Sequence, residues 1–221
     1  MNQTVADPAF PRVRDLRHDP DEGPLSLIWP VGHRVVVSGL PGCGKSTLMG
    51  RATGPDGTGR GLVTVDSQEV RERWDARLGH RLPYAAYRPL VRVAHYLRLW
   101  LALRRPAAVL VHDCGRLSWV RGWLAWHARR QRQPYHLLLF DVPPERALAG
   151  QRRRGRSVSR YAFRRHRRAL ARLLARVEAG RLPPGCGSVV LIDGRVAART
   201  QLRFAADTDA PSGAFPLVDR V

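Results

Sequence analysis

Lysine is almost missing from this chain: of its 38 basic residues, Lys45 alone is not arginine. Cysteine is nearly as scarce. Cys43, Cys114 and Cys186 lie far apart, without Cys-x-x-Cys or Cys/His spacing, which excludes a disulfide framework and a zinc site and fits a reducing cytoplasm. No run of about 18 uncharged apolar residues occurs and no apolar stretch follows the start, so the sequence predicts neither export nor membrane attachment. Acids are outnumbered, 18 against 38, for a formal charge of +20, and Asp113 is the only one between Asp75 and Asp141. Such a field attracts nucleic acid, anionic lipid and polyphosphates. The chain is also rich in Ala, Gly, Pro and Leu, and a drift toward arginine accounts for the charge equally well, so nucleic acid is admitted as a partner but not favoured.

What is present reads as one globular domain: 221 residues, 44% of them hydrophobic, are enough for one sizeable core. Residues 1–30 mix Pro, Asp and Arg without period and predict a flexible leader; the domain is expected over 31–207, and 208–221 as a disordered tail. Short apolar runs recur at 34–39, 61–66, 107–113, 135–142 and 188–193, of strand length and without the alternation of a half-exposed sheet. Segments of helical spacing lie between them, which predicts an α/β fold of three layers with a five-stranded parallel sheet. Trp119, Trp123 and Trp126 fall at i, i+4 and i+7, and are expected to pack into the core.

Residues Gly39 to Ser46, "GLPGCGKS", fill the pattern G-x-x-x-x-G-K-[ST], the Walker A phosphate loop, with a strand before and a helix after. Such a loop wraps phosphates in backbone N–H groups and needs glycine where side chains would collide, here Gly39, Gly42 and Gly44, with Leu40, Pro41, Cys43 and Thr47 completing the wall. Lys45 then reaches the β- and γ-phosphates, and the Ser46 hydroxyl ligates Mg²⁺. A guanidinium is too wide to nest where a compact ammonium does, so a drift toward arginine spares this one position.

Two further absences narrow the class. Without a second lysine there is no Asn-Lys-x-Asp element to read guanine, and no glutamate between Glu72 and Glu145 follows Asp113 to polarise a hydrolytic water. Transfer to a bound acceptor remains, which needs a base, a metal and positive charge over the γ-phosphoryl. Asp113, closing the strand "VLVHD", suits the metal; Asp66 closes the second strand, at the edge where open α/β sheets bind ligands, and also suits a helix cap. His112 and Cys114 flank Asp113, and one adjacent pair makes no nucleophile–base site; Cys114 reads as a small buried residue. Arg71 falls early in the next helix. Arg152, Arg153, Arg154 and Arg156 surround Gly155 between two helices, where a cationic lid over about 150–160 could close on the phosphates. A helix over about 159–179 is amphipathic, with Leu170, Leu173, Leu174 and Val177 inward.

With this phosphate loop, "VDSQEVR", "VLVHD" and the "PPERALAGQRRRGR" lid, residues 33–195 resemble small P-loop kinases of the zeta-toxin, chloramphenicol phosphotransferase and 5′-hydroxyl polynucleotide kinase group, often labelled AAA family ATPase or ATP-binding protein. The resemblance implies ATP and Mg²⁺, Asp66 as the base for an acceptor hydroxyl, Arg71 as an acceptor ligand, and Arg154 and Arg156 on the ATP phosphates, with Gly150 where many members carry another arginine. It places Asp193 and Gly194 near adenine, and acceptor choice in the segment holding Tyr84, Tyr87, Arg88, Arg92, His95 and Tyr96. In polynucleotide kinases the Asp and Arg stand closer together than Asp66 and Arg71 do. The expectation is a cytoplasmic ATP- and Mg²⁺-dependent phosphotransferase, monomer or homodimer, acting on an unidentified hydroxyl of a small or nucleotide-like acceptor. Its alternatives are a polynucleotide 5′-hydroxyl kinase and an ATP-binding or ATPase regulatory module without acceptor transfer.

Overall fold

The computed structural model describes residues 12–54, 56–58, 60–78, 84–105, 107–113, 118–153, 159–206 and 216–220, with backbone alone at 67–69, 71, 78, 84, 85, 88, 113, 118 and 119. Five parallel strands form where the apolar runs predict them: β3 (Arg34–Gly39), β4 (Leu62–Val65), β5 (Ala108–Asp113), β6 (Tyr135–Phe140) and β7 (Cys186–Ile192). A sixth, β1 (Val13–Asp15), joins β7 in parallel, and the order is β1-β7-β6-β3-β5-β4. Every residue of β3 and β6 is buried, as strands covered on both faces require.

One face of the sheet is covered by α3 (Tyr84–Leu103), α4 (Ser118–Gln131) and α6 (Arg160–Glu178), through Leu99, Leu103, Leu124, Leu173 and Val177. The other carries α1 (Lys45–Met49), α7 (Gly194–Arg199) and a second sheet, in which β2 (Leu25–Pro30) pairs in parallel with β8 (Thr200–Ala205) and antiparallel with β9 (Leu217–Arg220). Two helices complete the chain: α2 (Ser67–Leu78), packed on α3 through Val70, Tyr87 and Val91, and α5 (Pro144–Arg153). The α6 helix begins where its sequence predicts, capped by Ser159, whose Oγ accepts from Ala162 N–H at 3.2 Å.

Three expectations change. The sheet has six strands rather than five, because the segment expected as a flexible leader contributes β1; the same segment gives β2 to the second sheet, where Leu25, Leu27 and Trp29 are at most 1% exposed. Its Pro, Asp and Arg, aperiodic in sequence, are an ion-pairing pattern with distant partners: Arg17 meets Asp15, Asp141 and Glu178, and Asp19 meets Arg199 and Arg220. These neighbours hold the Asp15 and Asp19 carboxyls below the ordinary carboxylate range, Asp15 chiefly by its hydrogen bonds to Arg17 and Asp19 by its arginine pairs acting against burial. Within the segment expected as a disordered tail, residues 217–220 form β9, while 208–215 lie outside the described residues. Finally, the inward face of α4 is Val120, Leu124 and Ala128; Trp123 packs at the margin of that core and Trp126 is exposed, with the Arg130 guanidinium 5.4 Å over its ring. Cys114 and the side chain of Trp119 are outside the described set.

Candidate functional site

The loop between β3 and α1 lies at the carboxyl edge of the sheet, where the crossovers from β3 and β6 leave toward opposite edges, the place at which open α/β sheets bind ligands. The loop is tightened by Cys43 N–H donating to Leu40 C=O at 3.2 Å, and α1, five residues long, starts at Lys45 behind Gly44 at φ +104°. Lys45 is 3% exposed, and its Nζ donates to Gly39 O at 2.9 Å and Leu40 O at 2.8 Å, with Cys43 Sγ at 3.6 Å. Among the described residues no carboxylate forms an ion pair with it. A buried cation whose acceptors are only neutral groups of its own loop suits an incoming polyanion.

The loop is gripped from outside by α5. Gly42 is at φ +90°, and a Cβ there would stand 2.2 Å from Ala147 O; one on Gly150 would stand 2.3 Å from Gly42 O. Gln151 is buried and its Nε2 donates to Pro41 O at 2.9 Å. Glycine at 150, where the resembling kinases carry arginine, is therefore demanded by a backbone-to-backbone contact. It also shortens the expected lid: residues 150–153 are the anchored end of α5, with Arg152 exposed, while Arg154 and Arg156 lie outside the described residues.

Asp66, just past β4, is 6% exposed and accepts from the Ser46 hydroxyl at 3.1 Å through Oδ2. Its Oδ1 lies 3.2 Å from His112 Nδ1, at ion-pair distance but not aligned for a hydrogen bond. Burial, and then the charge of Lys45, push His112 down to about 4 against the pull of Asp66, so the ring is neutral near pH 7. His95 on α3 also feels the Asp66 charge and is lowered mainly by burial; its Nδ1 is buried without a hydrogen-bond partner. Asp66 thus accepts from a hydroxyl and stands beside the neutral His112 ring, with His95 within reach of its charge.

The structure brings Ser46 and Asp66 together beside the loop that holds Lys45, and sequence reasoning misses His112 and His95 as part of the surroundings of Asp66. The first was legible: β4 pairs with β5 at Val65–Val111, and one step further aligns Asp66 with His112. The approach of His95 depends on how α3 packs on β4, and no local pattern announces it. Asp113 pairs with Ser38 at the end of β5, while Arg71 lies on α2 and Tyr84 and Arg88 on α3; the side chains of these four are outside the described set. Asp193 caps α7, accepting from Arg195 and Val196 N–H at 2.9 Å each, and Gly194 opens that helix. Thr47 is exposed at the loop's far end.

The donor set fits Mg²⁺. The Ser46 hydroxyl and the Asp113 carboxylate are hard oxygen ligands of the kind Mg²⁺ takes.

No curated protein matches the sequence. Among solved structures, the tunicamycin resistance protein of Deinococcus radiodurans is 15% identical, with 65% of this chain and 80% of that one covered at a TM-score of 0.35. Shikimate kinase of Bacteroides thetaiotaomicron is 14% identical over 79% of this chain and 86% of its own, at a TM-score of 0.33. Residues 35–179, from β3 to the end of α6, match the AAA domain family. With the phosphate loop, the buried lysine and the parallel sheet, that match makes this chain a member of the AAA domain family, a nucleotide-binding P-loop protein.

Proposed function

We propose that the chain transfers the γ-phosphoryl group of ATP to a hydroxyl of a small or nucleotide-like acceptor in the cytoplasm. The observation that carries this reading is the Asp66 carboxylate, buried beside the phosphate loop and 3.1 Å from Ser46 Oγ. Asp66 takes the acceptor's hydroxyl proton while the acceptor oxygen bonds to the γ-phosphorus; the bond from that phosphorus to the β–γ bridging oxygen breaks, and its electron pair leaves with ADP. Lys45 turns from Gly39 O and Leu40 O to the phosphates and offsets the charge that develops. Neutral His112 brings no cationic charge against Asp66 that would oppose its taking up the proton. Ser46 and Asp113 would hold Mg²⁺, which would supply charge neutralisation on the phosphate oxygens.

Arg71, Tyr84 and Arg88 are proposed on the acceptor side, Arg152, Arg154 and Arg156 over the phosphates, and Asp193 and Gly194 near adenine. The +20 charge supports a second reading, a polynucleotide 5′-hydroxyl kinase. Screening metabolites and 5′-hydroxyl oligonucleotides with labelled ATP separates the two by which product carries the label. Asp66→Asn is expected to retain ATP binding and lower transfer by about two orders of magnitude or more; turnover at the wild-type rate refutes the base assignment.

A further inference from the structure

Five of the seven large hydrophobic side chains exposed among the described residues sit on one helix. Leu90, Val93, Leu97, Trp100 and Leu101 of α3 are between 36% and 65% exposed, at steps of three and four that place them on one stripe. The opposite side of α3 is already used: Tyr87, Val91, Leu99, Ala102 and Leu103 are buried. A helix apolar on both faces is one that something covers on both, and its outward residues follow the spacing of a helix–helix seam.

Charge selects the occupant. The α3 sequence holds no acid, and the residues between Asp75 and Asp141 carry twelve arginines against Asp113 alone. Arg104 and Arg105 are exposed just beyond the stripe, with the Arg104 guanidinium 4.0 Å over the Trp100 ring. A second copy would set arginine against arginine. The steps of three and four residues are those of a helix–helix seam, which favours a partner helix over a lipid surface. We infer that the outward face of α3 docks an acidic amphipathic helix of a protein partner, whose apolar residues seat on Leu90, Val93, Leu97 and Leu101 while its carboxylates face Arg104 and Arg105.

The probe is a labelled synthetic peptide, a helix of about six turns with Leu at heptad positions a and d and Glu at e and g. It is set against a scrambled peptide of identical composition, with the full chain titrated in by fluorescence anisotropy. The amphipathic peptide is expected to bind about tenfold or more tightly than the scrambled one, and the double variant Leu90→Gln, Leu97→Gln to lose that advantage. Both side chains are half exposed, so melting temperature and ATP binding of the variant should stay at wild-type values. Equal binding of both peptides, no binding of the amphipathic one, or an unaffected variant overturns the inference. So does a wild-type dimer in sedimentation equilibrium that the double variant dissolves, or sedimentation with phosphatidylserine vesicles that the double variant abolishes.

Discussion

Two cations are buried at opposite ends of β3, each 3% exposed: Arg34 at its first residue and Lys45 beyond its last. Arg34 is held by acceptors that the fold itself fixes. Its Nη1 donates to Gln133 Oε1 at 2.7 Å and Gly32 O at 3.2 Å, its Nη2 to Gln131 Oε1, and burial lowers its pKa. Lys45 rests on carbonyls of its own loop, on a flexible stem that can turn to another acceptor. A planar fork suits acceptors that never move, and a compact ammonium suits one that arrives with a ligand. The single lysine therefore marks the end of the strand that carries the phosphate loop, and the arginine the end that is structural.

The strongest way to break this comparison is Lys45→Arg. It keeps the charge, yet nucleotide affinity measured by calorimetry should fall about as far as in Lys45→Ala, by about two to three orders of magnitude; near-wild-type affinity for Lys45→Arg would remove the geometric argument. At the other end, Arg34→Ala should cost about 3 kcal/mol in urea unfolding, because the Gln131 and Gln133 amides lose their donor and a buried side chain leaves a void, while the folded fraction binds nucleotide normally. Arg34→Lys should recover less than half of that loss.

Next to Arg34, His33 Nδ1 and His136 Nε2 are 2.8 Å apart, and His136 Nδ1 lies 2.8 Å from Ser188 Oγ. Burial, with His33 adding to it, pushes His136 down to about 3 from its ordinary 6.5. Between those values the unfolded chain takes up a proton that the folded one refuses, so stability falls as pH drops below about 6.5. At about pH 4.5 the loss relative to about pH 7 should be about 2–3 kcal/mol from this ring, and denaturant melts of His136→Gln should show a correspondingly shallower pH dependence. A smaller effect on nucleotide binding than at Lys45 is expected for Gly150→Ala, whose Cβ would press on Gly42 O from 2.3 Å and force α5 off the loop: about a tenfold weaker nucleotide affinity, with a loss of about 1–3 kcal/mol in denaturant melts. Unchanged affinity would mean that α5 and the loop move independently.

The phosphate loop and the five central strands were legible because both are local. A glycine pattern and a β-branched run carry their own physical reasons, and β3 came out at the predicted residues. The second sheet was not legible, since β2 finds its partners only at residues 200–205 and 217–220 and its flanking prolines read as breakers. One signal was overlooked: "TQLRFA" of β8 alternates buried and exposed residues, as a half-covered strand should. At the site, register alone would have set His112 beside Asp66, whereas His95 and the Gly42–Gly150 contact required the tertiary packing.

The pairing of β2 between β8 and β9 bears on how the protein is made. A ribosome releases β2 early, and its two partners emerge only after the whole parallel sheet has been synthesised. Until then Leu25, Leu27 and Trp29 have neither neighbouring strand to cover them, so the nascent chain carries a sticky segment through most of its translation and closes it in the final stretch.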